Sequence, residues 1–146
     1  SGLDPSPALL DRSRAAAQAK GMAADIRGGI GEAMPFGDAS FDTVVCTFTL
    51  CSVDQQRQVL AEMRRVLRPG GKVLFLEHGR APDASVQKWQ RRIEPIWKRI
   101  GGGCHLTRPI SSAYEAAGFE LTSVDEGYMP KSPRPFSWIE WGEARF

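Results

Sequence analysis

Thr43-Val44-Val45-Cys46-Thr47-Phe48-Thr49-Leu50 and, one helix later, Lys72-Val73-Leu74-Phe75-Leu76 decide the fold of this chain. The first run is nearly continuous in β-branched and apolar residues and does not alternate, the pattern of a strand covered on both faces. It predicts a central parallel strand. Between the runs, Val59, Leu60, Met63, Val66 and Leu67 recur at helical spacing with charges opposite, so 54–67 reads as an amphipathic helix. Arg68-Pro69-Gly70-Gly71 ends it. Strand, helix, strand is the right-handed parallel crossover. The expected class is α/β, a Rossmann-like, mostly parallel sheet with flanking helices.

Upstream, 8–20 reads as a helix capped near Ser6, with Pro7 at its first position, where a missing N–H costs nothing. The segment 25–32 is glycine-rich and only weakly strand-like. Downstream, Val86, Trp89, Ile93, Trp97 and Ile100 mark an aromatic-rich amphipathic helix with Pro95 inside it, broken by Gly101-Gly102-Gly103. A short helix over 110–117 stops at Gly118. Two late strands, 119–124 and 137–146, are expected to pair antiparallel at a sheet edge.

The whole, 146 residues and 16.1 kDa, is the size of a single domain, 1–146. Lys and Arg number 19 against 17 Asp and Glu, a net charge of +2 that implies no nucleic-acid partner. Cys46, Cys51 and Cys104 form neither an even disulfide set nor a C-x-x-C pair, which suits a reducing, cytoplasmic setting. Apolar strings of about five residues are too short to span a membrane.

In a parallel sheet the ligand lies at the carboxyl ends of the strands, so the loops there hold the candidates. Asp4 could offer two acceptor oxygens to the vicinal diol of a ribose, or could serve as a turn or capping Asp. Residues 29–36, ending in Met34-Pro35-Phe36, could wall a flat ring or form an ordinary loop. Thr47, Phe48 and Leu50 could line a cofactor or belong to the core. Glu77-His78 could supply a base or an orienting pair, or be structural. Cys104-His105 would need two further ligands for zinc, so no metal centre is expected.

The ordered set Gly2-Leu3-Asp4-Pro5-Ser6, Glu32-Ala33-Met34-Pro35-Phe36, Ser40-Phe41-Asp42-Thr43-Val44-Val45 and Val66-Leu67-Arg68-Pro69-Gly70-Gly71-Lys72 resembles class I S-adenosylmethionine-dependent methyltransferases. It resembles in particular the ubiquinone and menaquinone C-methyltransferases. Cys46-Thr47, Leu50-Cys51-Ser52-Val53, Glu77-His78, Trp97, Gly103-Cys104 and Leu106-Thr107-Arg108 extend the likeness towards the methyltransferase-like-seven group of alkyl-thiol methyltransferases. The resemblance implies S-adenosyl-L-methionine as cofactor and a small-molecule methyl acceptor, apolar and possessing a thiol in the nearer group, a quinone-like or lipid carbon or oxygen in the other.

By matched position, Asp4 would take the ribose hydroxyls. The backbone of Gly31, with Ile30 and Glu32 beside it, would face the adenine, Glu32 being the nearest acceptor for its amino group. Thr47, Phe48 and Leu50 match the cofactor-contacting strand end, and Asp42 is structural. His78, and with less support His105, would accept the acceptor's proton or orient it, under a lid formed by the Trp-rich helix. The family's G-x-G-x-G strand and helix are expected about twenty residues before Asp4. The chain therefore reads as the C-terminal two-thirds or more of such a domain, or as one that pairs with a second copy across an exposed sheet edge. A catalytically inert binding or dimerising module is the alternative. The apolar anchoring N-terminus of the thiol group has no counterpart in 1–146, so membrane attachment of this chain is not expected.

Overall fold

The computed structural model describes all residues, Ser1–Phe146. Strand β1 (Gly2–Asp4) leads into α1 (Pro7–Ala19), whose N-cap is Ser6 and whose first residue is Pro7. The weak glycine-rich segment supplies β2 (Ile26–Gly28), and β1 and β2 pair in parallel as a separate two-stranded sheet. Then come β3 (Phe41–Thr47), α2 (Gln56–Val66), β4 (Leu67–His78), α3 (Ala84–Ile100), α4 (Ile110–Ala116), β5 (Glu120–Tyr128) and β6 (Trp138–Arg145).

The four later strands form a sheet in the order β3-β4-β6-β5, with β3 and β4 parallel and β6 antiparallel to both of its neighbours. The expected crossover is therefore present, and the late pair is antiparallel with β5 at the edge. Two strand expectations change. The run 43–50 is strand only to Thr47, because the chain turns at Phe48, which takes a left-handed backbone (φ 49°). Nor is β3 central: β4 is its one neighbour, and Val45 is 67% exposed although its apolar run predicted cover on both faces. The Arg68–Gly71 turn lies inside β4 as a bulge opposite Phe41 and Thr43, with Gly70 at φ 79° supplying the left-handed step.

α2 binds this sheet through the stripe its periodicity predicted: Val59, Leu60, Met63 and Val66 are each 2% exposed or less. At about 1.5–3 kcal/mol per fully buried side chain of this size, this stripe fixes α2 in place. Tyr114 of α4 stacks on Phe75 of β4 at 4.6 Å and closes the same core. No helix is long and apolar enough to cross a membrane.

Candidate active site

The carboxyl ends of β1 and β3 face one cleft of about 920 Å³, lined by Asp4, Ile30, Gly31, Glu32, Thr47 and Phe48 together with Val59 and Met63 of α2. Six of the seven expected cofactor contacts thus share one opening. Asp4 ends β1, and its Oδ1 accepts the Ser6 amide at 2.7 Å, so the side chain is oriented by the turn that starts α1. Oδ2 takes no protein donor and remains available to a hydroxyl.

The adenine-side residues also hold their loop against α2. A Cβ on Gly31 would meet Val59 at 3.2 Å, so the missing side chain is what lets this loop lie against α2. The Glu32 carboxylate accepts the Gln55 amide through Oε1 (3.2 Å) and the Glu32 carbonyl accepts Gln58 Nε2 (3.0 Å), which ties this residue to the start of α2, while Oε2 takes no protein donor. Ile30 is half exposed on the cleft wall.

Met34-Pro35-Phe36 is held from α2. Arg65 donates to the carbonyls of Phe36 (2.8 Å) and Met34 (3.0 Å) and pairs with Glu62 and Asp38, each at 2.7 Å. Glu62 in turn accepts the Met34 amide at 2.8 Å, and the bidentate Arg65 beside it holds its carboxyl below the usual range. Arg27 lies over the Phe36 ring at 5.0 Å and donates to the Pro35 carbonyl. Asp42 pairs with Arg68 at 2.6 Å, a structural contact as expected.

Leu50 does not belong to the cleft wall. It is fully buried in the main core, its amide donates to Glu77 (3.0 Å) and its carbonyl accepts Arg108 (2.5 Å). The cause is Glu77, a buried carboxylate that accepts the amides of Thr49, Leu50 and Cys51 and the Cys46 thiol, four donors of which none is cationic. These bonds fold the chain after Thr47 inward and present Phe48 outward, its ring 4.8 Å from that of His78. Burial and the Glu77 charge push the Cys46 thiol up.

His78 ends β4 with Nδ1 3.7 Å from Cys104 Sγ and its Nε2 buried without a partner. His105 stands apart: its Nδ1 lies 3.3 Å from Glu94 of α3, and burial, followed by the Arg108 charge, lowers its pKa. Neither histidine lines the cleft; His78 lies behind Phe48, which does. Cys104, next to His105 in sequence, meets Cys51 and His78 instead. The Cys51 thiol draws Cys104 down to about 7, and that pairing, ahead of burial, pushes Cys51 far up. α3 is no lid in this arrangement: Trp89 is 55% exposed and Trp97 packs on Phe136 at 4.6 Å over the Cys51–Cys104 cluster, while only Gly102, beyond the helix, reaches the cleft. Arg108 and Arg65 were missed as site-shaping residues, and Glu77, read with His78 as a base or orienting pair or as structural, is a buried acceptor for the turn after β3. Glu77 had a signal, because the period of two along β4 puts it on the inward face with Val73 and Phe75.

The family described as Methyltransferase domain matches residues 1–75. The chain is 47% identical over 106 residues to thiol S-methyltransferase TMT1B of Rattus norvegicus, covering 72% of this chain and 41% of that protein. It is 38% identical over 88 residues to the ubiquinone/menaquinone biosynthesis C-methyltransferase UbiE of Dinoroseobacter shibae, covering 59% and 35% respectively. The chain thus spans about two fifths of the length of the first of these relatives. A solved SAM-dependent methyltransferase from Methanosarcina mazei superposes with a TM-score of 0.77 at 19% identity, over 98% of this chain and 79% of that one, which is a likeness of fold.

Proposed function

The chain belongs to the class I S-adenosylmethionine-dependent methyltransferases, and we propose that its cleft binds S-adenosylmethionine for methyl transfer to a small apolar thiol. The observation that carries this reading is the convergence of the β1 and β3 carboxyl ends, with Asp4 and Thr47–Phe48, on one opening. The residues present suit a nucleoside: Asp4 keeps one carboxylate oxygen free for a ribose hydroxyl, and Ile30, Gly31 and Val59 offer a base an apolar surface. S-adenosylmethionine, when bound, supplies an electrophilic methyl group on a sulfonium.

What this chain contributes is positioning. Asp4 fixes the sugar, the 30–32 loop covers the base, and the left-handed turn at Phe48 sets an aromatic face beside the transfer region. His78, packed on Phe48, orients the acceptor or takes its proton. A thiol with a reference pKa of about 8.5 is already partly ionised at neutral pH, so no strong base is needed. His105, tied to Glu94, acts only through the turn that holds Thr107, whose amide and hydroxyl Glu94 also accepts.

The thiol assignment draws on the thiol S-methyltransferase relatives; a quinone-like carbon or oxygen is the competing acceptor. The test is transfer of labelled methyl from S-adenosylmethionine to a panel of alkyl thiols and quinols, with calorimetric titration of S-adenosylhomocysteine alongside. Labelled thioether and submicromolar titration are expected. Folded protein that titrates flat belongs to the inert alternative, and label on the quinol alone reassigns the acceptor.

A further inference from the structure

Cys51, His78 and Cys104 come from three separate turns, after β3, at the end of β4 and after α3, yet their ligand atoms all lie within 4.8 Å of one another. We propose that these three side chains form a binding site for one thiophilic divalent cation of the zinc class, held by two thiolates and an imidazole.

The donor set is the first reason. Two sulfurs and one imidazole nitrogen are the ligands that zinc prefers, and three protein ligands leave a fourth position for water or another small ligand. Metal–ligand bonds of about 2.0–2.3 Å in a tetrahedron put sulfur and nitrogen about 3.6 Å apart and two sulfurs about 3.8 Å apart. The Cys104 Sγ to His78 Nδ1 distance is 3.7 Å. The remaining edges need to close by no more than about 1 Å to reach the same figure.

Charge is the second. Glu77 is a fully buried carboxylate satisfied entirely by neutral donors, one of them the Cys51 amide at 3.1 Å. Two thiolates neutralise a divalent cation, so the occupied triad adds no net charge beside Glu77 in this low-dielectric setting. The third reason is preorganisation. The His105 amide donates to the Cys51 carbonyl at 2.7 Å, and a Cβ on Gly103 (φ 85°) would lie 3.0 Å from the Ser52 carbonyl oxygen, so only glycine lets the two cysteine turns approach this closely. Cys51 and Cys104 are 1% and 5% exposed, beneath Leu106, Trp97 and Phe136. Finally, Trp97 packs on this cluster with its Nε1 buried and without a partner, a donor suited to a Cys104 thiolate or a metal-bound water.

Binding is not a redox event: the cation enters, two sulfur–metal bonds and one nitrogen–metal bond form, and the thiol protons leave to solvent. With Nδ1 on the metal, the ring hydrogen of His78 sits on Nε2, and the ring can no longer take the acceptor's proton. The site itself does not depend on that activity, and its test reads no methyl transfer.

The reduced, metal-free chain is titrated anaerobically with cobalt(II) chloride. The expected result is a thiolate-to-cobalt charge-transfer band with tetrahedral visible absorption, saturating at one equivalent and bleached by one equivalent of zinc(II) chloride. C51A, C104A and H78A, each checked for folding by circular dichroism, should weaken cobalt binding by about 100-fold or more, whereas C46A and H105A should not. Zinc should also raise the Tm of the unaltered chain and leave that of C104A unchanged. Absence of the band in folded, reduced protein overturns the proposal, as does a band that survives in C104A.

Discussion

The two walls of the cleft are built to different standards. Of the 26 buried residues, only Leu10 precedes Phe41; the β1–α1–β2 wall that carries Asp4 is a two-stranded sheet with one helix. The opposite wall, at the end of β3, rests on a four-stranded sheet, the α2 stripe and the Glu77 hydrogen-bond cluster. One wall is therefore a rigid platform and the other a lightly packed flap, and a ligand bridging them should stabilise the flap more than the platform.

The largest effect tests the platform. Glu77→Leu leaves two buried amides and a part-buried one without an acceptor and should cost about 3–4 kcal/mol in urea unfolding. A loss under about 1 kcal/mol would mean that water replaces the carboxylate and that the platform is no better fixed than the flap. Next, Asp4→Ala should weaken S-adenosylhomocysteine binding by about 1.5–3 kcal/mol, the range for a hydrogen bond to a charged group. Unchanged affinity removes Asp4 from the sugar site.

Leu3→Ala, on the flap, should cost about 1 kcal/mol or less; a larger loss would show the flap to be part of the main cooperative unit. The smallest effect concerns Glu143 on β6, which Lys72 and then Arg145 hold at about 2 against an ordinary 4.5. The unfolded chain binds this proton more readily, so the stabilisation is complete above about pH 4.5 and is lost as the pH falls towards 2. E143Q should flatten the decline of the urea midpoint in that window and leave the flap's exchange rates alone.

How much of this the sequence carried follows from range. The α2 stripe, the β3–α2–β4 crossover, Ser6 and Pro7 at the start of α1, and the antiparallel late pair are set by local periodicity and turn chemistry, and each was legible. The end of β3 was not, because Thr47–Leu50 keeps the apolar composition of a strand while amides donating to Glu77, 26 to 28 positions on, bend it away. Leu50 was placed in the site for the same reason. The Cys51–His78–Cys104 cluster spans 53 positions and depends on Gly103, so spacing alone offered Cys104 only its neighbour His105. The tie of Glu32 to the start of α2 was not legible, because that start could be located only approximately.

The central claim is that a sulfonium nucleoside bridges the β1 and β3 ends. Amide hydrogen exchange with and without saturating S-adenosylhomocysteine tests it most directly. Protection is predicted at Leu3–Ser6 and Thr47–Thr49 together, greater on the first segment; saturable binding with protection confined to α3 or β5 would contradict it.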